Sequence, residues 1–307
     1  MSETYGKLAP VLAVLAGVFW GSEGSFVRIL MRDYGMDNIT IMETRVMAAA
    51  LMMLAFILLR NPALLRFRKR DALLFLLIGF CGSVGLNYCY NAAIDLLSLA
   101  LSAVLLDLCP LYTLVIACFA FREKITGRKV FSLVLAILGC ILVSGFGFEE
   151  GAMSITFAGL VFGLASGLFN ALNGIFSKQL TGKGYDPWTL TFYSMAIASL
   201  MCLLPADWHM AAEVFCADGG RGAAVLLLNS LVGAMLPFLF FSMALVHMDA
   251  GKASILSTVE PAAAMVLGFL LFGETPTSLM MLGMAIVIAA LILLNLPTKE
   301  VFVDEKD

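Results

Sequence analysis

Gly24-Ser25-Phe26-Val27-Arg28 returns 150 residues later as Gly174-Ile175-Phe176-Ser177-Lys178. Working outward, a spacing of 151 residues relates Gly82 to Gly233, Tyr90 to Phe241, Pro110 to Pro261 and Glu123 to Glu274. The chain is written twice, and the copies divide near residue 150 into 1–150 and 151–307. Long apolar segments dominate both, and duplication of a hydrophobic half is the pattern of secondary transporters.

Composition narrows the class. A soluble domain is about one quarter charged; this chain is 13% charged and 61% apolar, with a mean hydropathy of +0.97. Its net charge of −3 and scattered basic residues exclude a nucleic-acid-binding stripe, and the loops are too short for a soluble catalytic or ATP-binding domain. Six of the seven cysteines fall in apolar runs, so they read as packing residues. His209 and His247 stand far apart. No cofactor and no metal site is expected.

A bilayer is crossed by roughly 20 apolar residues. Ten candidate spans satisfy this, at about 8–30, 39–59, 72–93, 97–120, 129–148, 155–178, 188–205, 222–246, 251–272 and 277–296. The first is too long for the apolar core of a signal peptide and reads as a retained helix. Lysines and arginines gather in alternate connections: Arg60, Arg66, Arg68, Lys69 and Arg70 in one, Arg122, Lys124, Arg128 and Lys129 in another. By the positive-inside rule both termini are expected in the cytoplasm. Five spans per copy make the second copy enter from the opposite side. The expected fold is therefore an all-α integral membrane protein of ten transmembrane helices in two inverted five-helix repeats, with a binding site between the halves.

Ionisable groups at membrane depth mark function. Within the spans these are Glu23, Glu43, Arg45, Asp107 and Glu260. Four acids against one base cannot all stay charged in a dry interior, so protons or a cationic substrate group are expected to balance them. Asp107 and Glu260 lie at the centres of their spans. Glu23 and Arg45, roughly 4–6 Å beyond the centres of theirs, share a depth and can pair. Glu43, two residues from Arg45, faces another way. Pro110 and Pro261 break the helix ladder near 106 and 257 beside those two acids. Trp20, Asn87, Tyr90, Asn91, Tyr112, Asn170 and Asn173 supply candidate lining. Trp20 as core filler and the asparagines as interhelical ties are the competing readings. Gly17, Gly21, Gly163 and Gly167 read as sites of close helix approach, and Glu123 and Glu274 as structural groups at matched helix ends.

Trp20-Gly21-Ser22 with Phe26, Arg45 in the second span, and Glu260-Pro261 leading to Gly273-Glu274 resemble the EamA family of the drug/metabolite transporter superfamily. Pro110 and Glu123 echo the last motif. The resemblance implies a ten-helix carrier in a bacterial inner membrane that moves small metabolites by alternating access. Glu23 departs from the family pattern, where a small or polar residue follows the Trp-Gly-Ser stretch. The expected partners are the lipid bilayer, a small-molecule substrate and protons. Two substrate readings stand. In the first, Arg45 draws the carboxylate of an amino-acid-like metabolite, while Glu23, Asp107 or Glu260 draws its amine or exchanges a proton. In the second, the acidic surplus serves export of cationic drug-like compounds. An intramembrane enzyme is the reading from another class; against it, no HExxH or GxSxG motif occurs.

Overall fold

The computed structural model describes residues 2–109, 111–112, 115–116, 127–144, 156–247, 256–257 and 259–295. Every regular element among them is helical. Helix α1 runs Ser2–Arg32, α2 Asn38–Arg60 and α3 Lys69–Leu96; α4 begins as Leu99–Leu106, and α5 is Gly127–Ser144. In the second copy α6 is Phe157–Gly182 and α7 Pro187–Cys202. Helix α8 runs from Arg221–Ser230 through Leu231–Met235 into Leu236–His247; α9 is Glu260–Phe272 and α10 Ser278–Asn295. Apolar stretches long enough to cross a membrane occupy Leu8–Arg32, Asn38–Arg60, Lys69–Leu96, Phe157–Gly182 and Trp208–Phe241. Pro110, Cys118, Glu123 and Lys252 lie outside the described residues.

Local sequence sets the ends. Asp37 caps α2 by accepting from the Ile39 and Thr40 amides, Ser98 caps α4, Thr156 caps α6, and Asp186 with Pro187 opens α7. Gly273 closes α9 at φ 67°, where the Glu274 amide reaches back to the Gly268 carbonyl. A residue with a Cβ resists that left-handed conformation. One helix was not expected: Trp208–Cys216, capped by Asp207, lies in the connection before α8.

The packing exchanges partners between the copies. Helix α1 lies on α8 and α9, and correspondingly α6 lies on α3 and α4, while α2 meets α7, α4 meets α9, and α5 meets α10. Every one of these contacts maps onto another, or onto itself, when the repeats are interchanged. This is the pseudo-two-fold relation of the inverted repeats.

Glycines permit the exchange. A side chain at Gly17 would collide with the Ser257 carbonyl and one at Gly21 with that of Glu260. In the mirror position, a side chain at Gly167 would meet the Leu105 and Leu106 carbonyls. So α1 and α6 each lie directly against interrupted backbone of a helix from the other copy. The interruption in α4 is a turn at Asp107-Leu108, and α9 starts at Glu260 with Pro261 in its first turn.

Two single-turn π segments occur at matched positions, Phe80–Gly85 in α3 and Leu231–Met235 in α8. Pro237 gives the second a cause, because its ring offers no N–H to the ladder and crowds the preceding turn. The first is built on Gly82 and Gly85, against which Asn173 and Phe169 of α6 pack.

Candidate functional site

Glu23 on α1 and Arg45 on α2 form an ion pair, their side chains 11% and 2% exposed. Common depth placed them together, and the register of α2 turns Arg45 toward α1. Glu43 faces α7 instead and accepts a 2.7 Å hydrogen bond from Ser199. Such burial is tolerable only for a charge that is partnered.

Around the pair gather the mid-span groups. The Tyr90 hydroxyl, fully buried on α3, is within electrostatic reach of Arg45, Asp107 and Glu260. Asp107 and Glu260, from α4 and α9, are close enough to act on one another. Among the described residues neither joins an ion pair, and Asp107 Oδ2 is buried without a hydrogen-bond partner. The structure thus brings Glu23, Arg45, Tyr90, Asp107 and Glu260 into one cluster fed by five helices. Glu23 and Arg45 neutralise each other, which leaves two neighbouring carboxyl groups, Asp107 and Glu260, with no ion-pair partner among the described residues.

The other candidates divide. Trp20 packs edge-on to Phe238 and beside Phe241, both at 5.4 Å between ring centres, filling the α1–α8 contact. Tyr112 is half-buried next to Gly167. Asn87 donates to the Ser83 carbonyl one turn back, at 2.6 Å. Asn91 donates to Asn38 Oδ1 at 2.9 Å, tying α3 to α2. Asn173 leans on Gly82 and accepts from Ser177, and Asn170 is half-buried one turn earlier on α6.

A second buried base stands at the end of α1. Arg28 pairs with Glu274, donates to the carbonyls of Ile94 and Leu97 at 2.7 Å each, and lies over the Phe272 ring. Glu274 also accepts from the Leu99 amide at 3.3 Å. The base therefore caps the C-terminus of α3 and the acid the N-terminus of α4, each the favourable match for the helix dipole.

Sequence reasoning passed over Asn229. It is completely buried on α8, with neither amide atom hydrogen-bonded among the described residues. Its signal was available: an amide in the run Leu226-Leu227-Leu228-Asn229 is a polar group at membrane depth.

Apolar helices wrapped around opposite charges contributed by both copies are the build of a polytopic membrane carrier for small molecules. The chain belongs to the EamA-like transporter family, whose model matches residues 7–145 and 157–296. It is 29% identical over 291 residues to an "Uncharacterized transporter" of Archaeoglobus fulgidus, covering 94% of this chain and 96% of that protein. To the threonine/homoserine exporter RhtA of Escherichia coli K12 it is 27% identical, covering 91% and 88% respectively. A solved crystal structure shares the fold at a TM-score of 0.63 and 12% identity, covering 94% of this chain and 96% of that one. Family and relatives point to a membrane transporter rather than an enzyme.

Proposed function

We propose that the protein exports small zwitterionic metabolites, amino acids foremost, across a bacterial inner membrane by alternating access coupled to protons. The observation that carries this reading is the buried Glu23–Arg45 pair in one cluster with the interacting Asp107 and Glu260 carboxyls. A zwitterion replaces an internal ion pair with two equivalent ones: its carboxylate on Arg45, its ammonium on Glu23. The carboxyl pair of α4 and α9 holds the exchangeable proton. The family match and the exporter name of one relative support the substrate class.

The repeats 1–150 and 151–307 are the bodies that move, with both termini on the cytoplasmic side. Lys and Arg in the alternate connections support that orientation. Trp20, Tyr112 and the asparagines Asn87, Asn91, Asn170 and Asn173 shape the walls, and Pro261 sets the break beside Glu260.

The test is uptake and counterflow of labelled amino acids in proteoliposomes, with and without a pH gradient, for the natural chain, Asp107→Asn and Glu260→Gln. Gradient-driven flux that is lost in either variant supports coupling through these carboxyls. Counterflow indifferent to pH and to both substitutions refutes the coupling. Absence of flux with every amino acid, together with flux of an organic cation, establishes the cationic reading that the unpaired carboxyls also favour.

A further inference from the structure

We infer that Asn229 of α8 positions Glu23 for substrate, as the hydrogen-bond partner that Glu23 takes when a substrate carboxylate draws Arg45 away. The inference rests on the amino-acid reading above and adds a residue to that site.

Asn229 is completely buried, and neither its amide nitrogen nor its oxygen has a hydrogen-bond partner among the described residues. A carboxamide can donate twice and accept twice, and leaving it unmatched in an apolar interior is costly. Its neighbour Ser230 does not share that condition, since its hydroxyl donates to the Leu226 carbonyl within the helix. Nor does the fold itself ask for an amide here. The spacing of 151 places Ile78 of α3 at the matched position, packed in an apolar cluster with Phe75, Leu180 and Leu190.

The neighbour of the amide is Glu23. A Cβ on Gly233 would stand 3.2 Å from Glu23 Cγ and 3.3 Å from Asn229 Oδ1. Because Gly233 has none, the two side chains close over it from either side and fill the place a methyl group would take. The Glu23 carboxyl begins one bond beyond Cγ, so a rotation of that side chain carries it between Arg45 and the amide. Gly233 belongs to the π segment that follows Asn229, and single-turn π segments are frequent at functional sites.

The mirror interface supplies the contrast. A shift of 150 places Asn173 of α6 on Glu23, and Asn173 meets Gly82 as Glu23 meets Gly233. Asn173, however, accepts from Ser177 on its own helix, and Ile78 replaces the amide. The α3–α6 contact is thus settled within itself, whereas the α1–α8 contact sets an acid beside an unmatched amide.

The chemistry follows from what a carboxylate can accept. With Arg45 in place, Glu23 has its counter-charge and the amide goes without. Once a substrate carboxylate occupies Arg45, Glu23 must hold the substrate ammonium, and nothing on α1 fixes its orientation. An N–H of Asn229 donates to one carboxylate oxygen while the ammonium takes the other. That hydrogen bond is charge-assisted, and so among the stronger ones. The amide is matched only in the occupied site, which makes its cost in the empty protein a contribution to binding.

Calorimetric titration of the full-length protein in lipid nanodiscs with each of the twenty amino acids tests this, alongside melting temperatures. The forms compared are the natural chain, Asn229→Leu, Asn229→Ile (the residue of the mirror position), Glu23→Gln and Glu23→Gln/Asn229→Leu. Both Asn229 variants should bind the tightest amino acid about tenfold or more weaker. They should nevertheless melt no lower than the natural chain, and about 2–4 °C higher where the apolar side chain fits, since an unmatched amide is gone. A structural tie behaves otherwise, because its loss lowers stability along with affinity. In the Glu23→Gln background, Asn229→Leu should change affinity by less than about twofold, the residue it acts through being absent. Three results overturn the positioning role and leave the amino-acid reading standing: unchanged affinity in the Asn229 variants, a fall in melting temperature in both of them, or an undiminished loss in the Glu23→Gln background. Binding of no amino acid by the natural chain refutes that reading and the positioning role with it.

Discussion

Replacing Arg28 by methionine removes more than one contact. The guanidinium meets Glu274, the carbonyls of Ile94 and Leu97 and the face of Phe272, and it is 1% exposed. Methionine keeps most of the length but leaves the Glu274 carboxylate unpaired and uncaps the end of α3. Breaking a buried pair from one side costs about 3–5 kcal/mol. The two carbonyl contacts add less than their separate values, because they share one donor group. At roughly 2–4 °C per kcal/mol, the melting temperature should fall by about 10 °C. Cys81, Cys89 and Cys202 are buried, so labelling by a thiol-reactive fluorophore on heating reports the unfolding. The double variant Arg28→Met/Glu274→Gln should be more stable than the two single effects predict, because it removes the stranded charge. A shift for Arg28→Met of under about 1 kcal/mol, or strict additivity in the double variant, would refute this account of the α1–α9 tie.

Glu23→Gln leaves Arg45 buried without its counter-charge and should destabilise by about 3–5 kcal/mol in the same melting assay, with partial recovery in Glu23→Gln/Arg45→Met. Ser199→Ala strips Glu43 of its hydroxyl donor and should cost about 1–3 kcal/mol; a neutral result would mean that the Glu43 carboxyl has another partner. Gly167→Val drives a side chain into the Leu105 and Leu106 carbonyls, and an overpacking loss of about 1–3 kcal/mol is expected, with Gly17→Val behaving alike if the repeats are equivalent. Gly273→Ala strains the left-handed end of α9 by about 1 kcal/mol, readable as a small drop in melting temperature.

Much of the helical order was legible because each span must satisfy its own backbone in an apolar solvent, and that leaves long uniform runs. The 151-residue spacing of Gly82 and Gly233 anticipated the two π segments only as matched glycines. Pro237 was the overlooked sign, since a proline inside a span demands a local change of ladder. Depth along the helix was enough to pair Glu23 with Arg45, because both distances are counted from the same midplane. The partner of Arg28 was not legible. Glu274 lies 246 residues away, and no periodicity on α1 encodes which helix end arrives beside it. Asn229 was harder to read because it lies apart from Pro110 and Pro261, the prolines that mark Asp107 and Glu260 in the sequence. The helix Trp208–Cys216 had a signal in Asp207, an N-cap in a stretch otherwise read as loop.

The Arg28–Glu274 tie also bears on how the chain is made. At synthesis rates of about 5–20 residues per second, the 246 residues between them take on the order of tens of seconds to emerge. For that interval the first helix carries an arginine near its C-terminal end with neither its acid nor the end of α3 in place. Early insertion of α1 must therefore leave Arg28 in contact with water or headgroups, and the guanidinium is drawn inward only when the ninth helix arrives. A ribosome stalled anywhere before Glu274 would hold a half-built bundle with an uncompensated charge, a state that membrane quality control can recognise.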